Sequence, residues 1–185
     1  MIFTYINKTV KSIDTFTDAA GKLISWLTLS MVLLTFIIVV LRYGFNVGSV
    51  AMQESVLFFH GLVFMAGAAY TLKNDEHVRV DIFYHKFSAK TKALVNIFGS
   101  LFLLLPVCVF IYVASFDYIM LSWRIMEKSS EAGGLPFVYL SKSFLFLLAF
   151  TLGLQGIAEL GRNIVIAFSS SLSNKQVLTN DKGES

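Results

Sequence analysis

An all-α integral membrane protein of four spanning helices, with both termini inside, is what the sequence predicts. Three observations lead there. Hydrophobic residues fill 56% of the 185 positions, more than an ordinary globular domain carries, and the mean hydropathy is +0.70. Four long apolar runs are separated by short segments that gather the polar residues, where a soluble helix would spread them amphipathically. Eighteen Phe against two Pro suit helices surrounded by acyl chains.

Before the first run, Ile6, Val10, Ile13, Phe16 and Ala20 recur at helical spacing with Lys8, Lys11 and Asp14 between them. That pattern predicts an amphipathic segment lying on the membrane surface. The first span, about 23–41, is free of charge and long enough at ~1.5 Å per residue to cross a core of ~30 Å. No A-x-A-like site follows it, so it is expected to stay as an anchor. The second span, about 51–72, holds Glu54 near its start and His60 further in. Next comes KNDEHVRVDIFYHKF at 73–87, where Val78, Val80, Ile82, Phe83 and then Phe87 alternate with charge as in a segment at a membrane interface. Ser88 is placed to cap the third span, about 93–123, which at roughly 45 Å exceeds what the core needs, and Pro106 is its candidate kink. In SSEAGGLP, at 129–136, Gly133 and Gly134 precede Leu135 and Pro136 without a phosphate-binding lysine, which reads as a turn into a helix. The fourth span, about 137–166, is bounded by Lys142 and by the Glu159/Arg162 pair, whose charges are expected to reach for the two interfaces. Residues 1–170 form one membrane domain without internal repeat, and 171–185 read as a flexible cytoplasmic tail.

Lys and Arg set the orientation. With both termini inside, eleven of them (Lys8, Lys11, Lys22, Lys73, Arg79, Lys86, Lys90, Lys92, Arg162, Lys175 and Lys182) face the cytoplasm, against Arg42, Arg124, Lys128 and Lys142 outside. Trp26 and Tyr70 then lie near the inner interface, and Tyr43, Trp123 and Tyr139 near the outer one. The 73–87 stretch is accordingly cytoplasmic.

Several chemistries lack their residues. The net charge of +3 is small and scattered, which gives no nucleic-acid surface. The single cysteine, Cys108, can form neither an intrachain disulfide nor a cysteine metal site. Haem held between helices needs two facing histidines, yet only His60 lies in a span, while His77 and His85 belong to the inner loop. No Ser/His/Asp set and no H-E-x-x-H pattern can be assembled, so neither an enzyme nor a resident cofactor is expected.

The polar groups within spans carry two readings each. Glu54 is either a proton or cation site, or an acid at the outer interface close to water; the second is favoured because the cost of charge falls away from the midplane. For His60, six positions on and on a different face, an interhelical hydrogen bond is the preferred reading. Gly61, the run Ala66 to Ala69 including Gly67, and the series Ala149, Gly153 and Gly156 allow close helix approach, mostly inside the subunit and for the rest against a larger membrane partner. Four helices with few buried polar groups and no evident ion path suggest a helper subunit.

The chain resembles the small membrane subunit of tripartite ATP-independent periplasmic (TRAP) transporters, the DctQ-like family. The likeness rests on MQESVLFFHGLVFMAGAAYTLKNDEHVRVDIFY at 52–84, SAKTKALVNIFGSLFLLLP at 88–106 and SSEAGGLP at 129–136, with HVRVD its most specific part. The resemblance implies a fixed scaffold bound to a large DctM-like permease subunit, which carries the substrate and sodium sites and moves as an elevator. It also implies a periplasmic substrate-binding protein that delivers a small organic anion, and residence in the bacterial inner membrane. None of the family's substrate or ion ligands maps onto this chain. The candidate contacts with partner or phospholipid are Glu54, His60, Gly67, His77, Arg79, Asp81, Arg124, Glu131, Gly133, Gly134 and Lys142. Asp81 is costly against an anionic headgroup, which favours a protein contact for it, with Arg79 as a local partner and a solvated loop as the plainer reading. Arg124, Glu127, Lys128 and Glu131 flank SSEAGGLP as a docking surface for the binding protein or as a plain interhelix turn. A membrane anchor or cofactor subunit of a respiratory complex, and a small multidrug exporter working through Glu54, are the alternatives.

Overall fold

The computed structural model describes residues 2–76, 84 and 86–180. The chain is helical along nearly all of this length, and four helical stretches are long and apolar enough to cross a membrane. Helix α1 spans Ile2–Phe45. The amphipathic segment and the first span are thus one helix, about 66 Å long at ~1.5 Å per residue. No proline separates them, and the only glycine in between, Gly21, faces the Tyr70 ring so closely that a Cβ would overlap it. The hydroxyls of Thr9, Thr15, Ser25, Thr28, Ser30 and Thr35 each donate to the carbonyl four residues back, which lets polar side chains remain on a membrane helix.

Helix α2, Val50–Lys73, starts at Ser49, whose side chain accepts from the Met52 N–H. His77, Arg79, Asp81, Val78, Val80, Ile82 and Phe83, the heart of the interfacial stretch, lie outside the described residues. Helix α3, Ala89–Gly99, is capped as expected by Ser88, which accepts from Thr91 N at 3.2 Å. A π-helical turn, Ser100–Leu104, joins it to α4, Leu105–Arg124. Pro106 stands at the start of α4; it brings no N–H and crowds the preceding turn, and the wider turn absorbs that defect without ending the span. Helix α5 runs from Val138 to Asn180, so helix continues through the first ten residues of the segment read as a tail.

Helix α5 is the hub. It packs on α1, α2, α3 and α4, while α1 and α2 pack on each other to one side of it and α3 and α4 lie on the other. The buried apolar residues are few and mostly small: Ala69, Ala93, Cys108, Ile119, Ala149 and Ala158. Gly156 shows why, since a Cβ there would stand 2.8 Å from Leu104, and at Gly161 one would stand 3.3 Å from Ile6 and Val10. Close approach over small residues is how helices associate where lipid removes the hydrophobic drive. Larger side chains fill in as aromatic pairs, Phe58 with Phe144 at 4.9 Å and Tyr112 with Phe146 at 4.8 Å.

Candidate functional site

Two polar clamps hold the helices, one at each end. At the loop end, Glu54 on the first turns of α2 reaches across to the α4–α5 connection. Its carboxylate accepts from the Ser129 hydroxyl and from the Leu135 N–H, the latter at 2.6 Å. The connection is folded to meet it: Ser129 N donates to Leu135 O at 3.0 Å, Glu131 N donates to the Ser129 hydroxyl oxygen at 3.1 Å, and Gly133 turns the chain with φ +77°. At Gly134 a Cβ would collide with the Ser129 side chain and stand 2.8 Å from a Glu54 oxygen. Glu54, Gly133 and Gly134 therefore belong to one structure, while the Glu131 side chain is exposed.

Beside it, Lys142 on α5 donates to Glu127 and stands 4.0 Å from the centre of the Tyr118 ring. Its side chain is only 16% exposed, because an acid and an aromatic face lie within its reach. The Lys142 bond holds the Glu127 carboxyl below its ordinary pKa. Trp123 completes this corner, donating to the Ser143 hydroxyl at 2.8 Å and meeting Tyr139 at 4.7 Å.

At the end bearing the chain termini, Arg162 on α5 donates to both Asp14 oxygens at 3.1 Å and pairs with Glu159 at 3.0 Å. Gln155 donates to Asp14 at 3.2 Å and accepts from Thr17 at 2.8 Å. Lys73, the last residue of α2, binds the Asp14 carbonyl at 3.2 Å and pairs with Asp18. Asn163 donates to Glu159 at 2.8 Å and accepts from Asn96 at 3.1 Å, and Asn96 in turn accepts from Tyr84 at 3.1 Å. One connected network thus ties α1, α2, α3 and α5. The sequence shows the Glu159/Arg162 pair, but Asp14 reads there only as part of an amphipathic face; its i, i+3 relation to the small polar Thr17 is the signal for a helix contact.

The remaining candidates stay apart. His60 is exposed, and among the described residues no hydrogen bond reaches it, which corrects the expected interhelical bond. Its position on α2 turns it away from Gly61, which meets Phe144 of α5, and into a groove with Met31, Thr35 and Phe36 of α1. A Cβ at Gly67 would meet nothing within 4 Å, and this glycine faces the α1–α2 cleft. Arg124 ends α4, exposed. His77, Arg79 and Asp81 lie outside the described residues. Among the described residues no set of three or more His, Cys, Asp or Glu converges as a metal site. Asp117 on α4 is an acidic group in a span that hydropathy and motif reading pass over.

These features define a multi-pass helical membrane protein whose helices are braced at both ends. A family model for the DctQ component of tripartite ATP-independent periplasmic transporters matches residues 31–165, from the middle of α1 to well inside α5. The chain belongs to that family, and is a TRAP transporter small membrane subunit. The family is one of transporter subunits, not of enzymes. No curated protein and no solved structure matches the chain.

Proposed function

We propose that the chain is the scaffold of a sodium-driven, binding-protein-dependent transporter for small organic anions, supporting a large elevator-type permease subunit in the bacterial inner membrane. The observation that carries this reading is how its inward-facing ionisable groups are used. Glu54, Lys142 and Arg162 are each committed to bonds that fasten one helix or loop to another, and Glu159 is taken up by Arg162 and Asn163 beside it on α5. A carboxylate already accepting two hydrogen bonds and fixing a loop is poorly suited to trade protons or sodium during transport. The cleft between α2 and α5 is lined chiefly by apolar side chains such as Leu57, Phe58, Met65, Leu135 and Phe144, and the one carboxylate in its wall, Glu54, is already bound to the loop. Sodium and solute are accordingly assigned to the large DctM-like subunit, and solute capture to the periplasmic binding protein. The excess of Lys and Arg supports termini in the cytoplasm, with the Glu54 clamp on the periplasmic side.

Reconstitution tests this. Liposomes holding the purified chain alone are expected to take up no organic anion under a sodium gradient, whereas the chain with its large subunit and binding protein is active. Sodium-driven uptake by the chain alone would sink the scaffold assignment. For the HVRVD element, Asp81→Lys is expected to lower recovery of the large subunit in co-purification; full recovery removes Asp81 from the interface.

A further inference from the structure

The outward face of α4 carries a charge that no partner among the described residues answers. Cys108, Ser115, Ile119 and Ser122 are buried and define the face of α4 turned to α5. Asp117 is two residues from both Ser115 and Ile119, roughly 200° around the helix from each, so it leaves α4 on the opposite side. It is exposed, and among the described residues no hydrogen bond or ion pair reaches it. Its neighbours on that face are apolar and also exposed: Phe110 at 70%, Val113 at 66% and Leu121 at 57%. Trp123, at the aromatic belt, lies six residues on, which sets Asp117 about 9 Å deeper along the helix. The cation nearest in sequence on this helix, Arg124, is about 10.5 Å further along the axis. Lys142, at the level of Tyr118, is already bound to Glu127.

We propose that the Phe110, Val113, Asp117 and Leu121 face of α4 is the seam on which the large membrane subunit docks, through a transmembrane helix that presents a lysine or arginine to Asp117. This rests on the scaffold reading. A carboxylate at this depth is expensive unless paired, and the apolar residues one turn above and below it provide the flat contact that a helix needs. Acyl chains offer Asp117 no partner. A second copy of this chain docking through the same face about a two-fold axis brings Asp117 against Asp117, two like charges where opposite ones are needed.

The test uses the co-expressed pair, captured through a tag on this chain. Asp117→Leu makes α4 a better lipid-facing helix and touches no internal contact, so the purified chain alone keeps its melting temperature in detergent. In the pair, the partner's cation is left unanswered, and the apparent affinity for the large subunit falls roughly 30-fold or more. A photo-reactive residue at Val113 or Leu121 cross-links to the large subunit, while one at Val32 or Phe36, on α1, does not. Unchanged affinity with Asp117→Leu, or adducts from Val113 and Leu121 to lipid or to another copy of the chain only, overturns the seam and leaves the scaffold standing. Failure of the unaltered chain to capture any large subunit overturns both.

Discussion

At the scale of single residues, Glu54 shows how far a side chain's meaning depends on what lies opposite it. Its position near the start of α2 is legible in the sequence as an acid close to the interface. Its partners, Ser129 and Leu135, are 75 and 81 positions away, and only the packing of α2 on α5 brings them together. Removing the charge with Glu54→Gln is expected to speed hydrogen exchange at the Leu135 amide, while amides in the middle of α4 keep their protection. The glycines that let the loop approach are as exacting. Gly134→Ala forces a Cβ into the Ser129 side chain and costs about 1–3 kcal/mol; Gly133→Ala, at φ +77°, costs roughly 1–2 kcal/mol. Both are read from thermal unfolding of the chain in detergent. The Glu127–Lys142 bond adds a pH dependence. Because the folded carboxyl titrates below its ordinary value, the bond's contribution is complete at and above the ordinary carboxylate range and is lost as pH falls through the lowered value. Trp123 fluorescence in a Trp26→Phe background should hold steady from neutral pH down to that range and change below it, and Glu127→Gln should abolish the acid step. His60 is misplaced by the sequence for a related reason: a histidine in a span needs something to bind, but which face of α2 is inward is decided by Gly61 meeting Phe144, and this leaves His60 on the other side.

At the scale of elements, the four spans, the Ser88 cap and the disturbance near Pro106 follow from composition, hydropathy and the missing proline N–H. Where a helix stops is less legible. The amphipathic pattern of the first twenty residues predicts a segment lying flat, yet α1 continues through it, because Asp14, Thr17 and Asp18 are consumed by α5 and α2 and no breaker intervenes. Periodicity marks a polar stripe on such a segment but cannot say whether water, headgroups or another helix will receive it. The hub role of α5 is visible in outline from Ala149, Gly153 and Gly156, since small residues on one face invite close neighbours. Gly156→Val tests the tightest of these approaches. It drives side-chain atoms into Leu104 at the π-helical turn and is expected to cost about 1–3 kcal/mol, with faster exchange in α3 and α4 and little change between α1 and α2.

At the scale of the whole molecule, the apolar core is small, and much of the bracing is polar and placed at the two ends, leaving broad apolar faces on α1 and α4 for lipid or a partner. That distribution suits a body that holds its shape while something beside it moves. Membership of the TRAP small-subunit family is legible from HVRVD and its flanking segments, although HVRVD itself lies outside the described residues; the two clamps and Asp117's outward placement are not, since both depend on the rotation of each helix about its axis. The central claim is that the subunit stays rigid during transport. Spin labels at Asn46, in the α1–α2 connection, and Ser130, in the α4–α5 connection, report the distance between its two flanks by pulsed electron resonance in the complete transporter. A single distance, unchanged by sodium or by the loaded binding protein, is the predicted result; a second distance that appears when either is added would contradict a fixed scaffold.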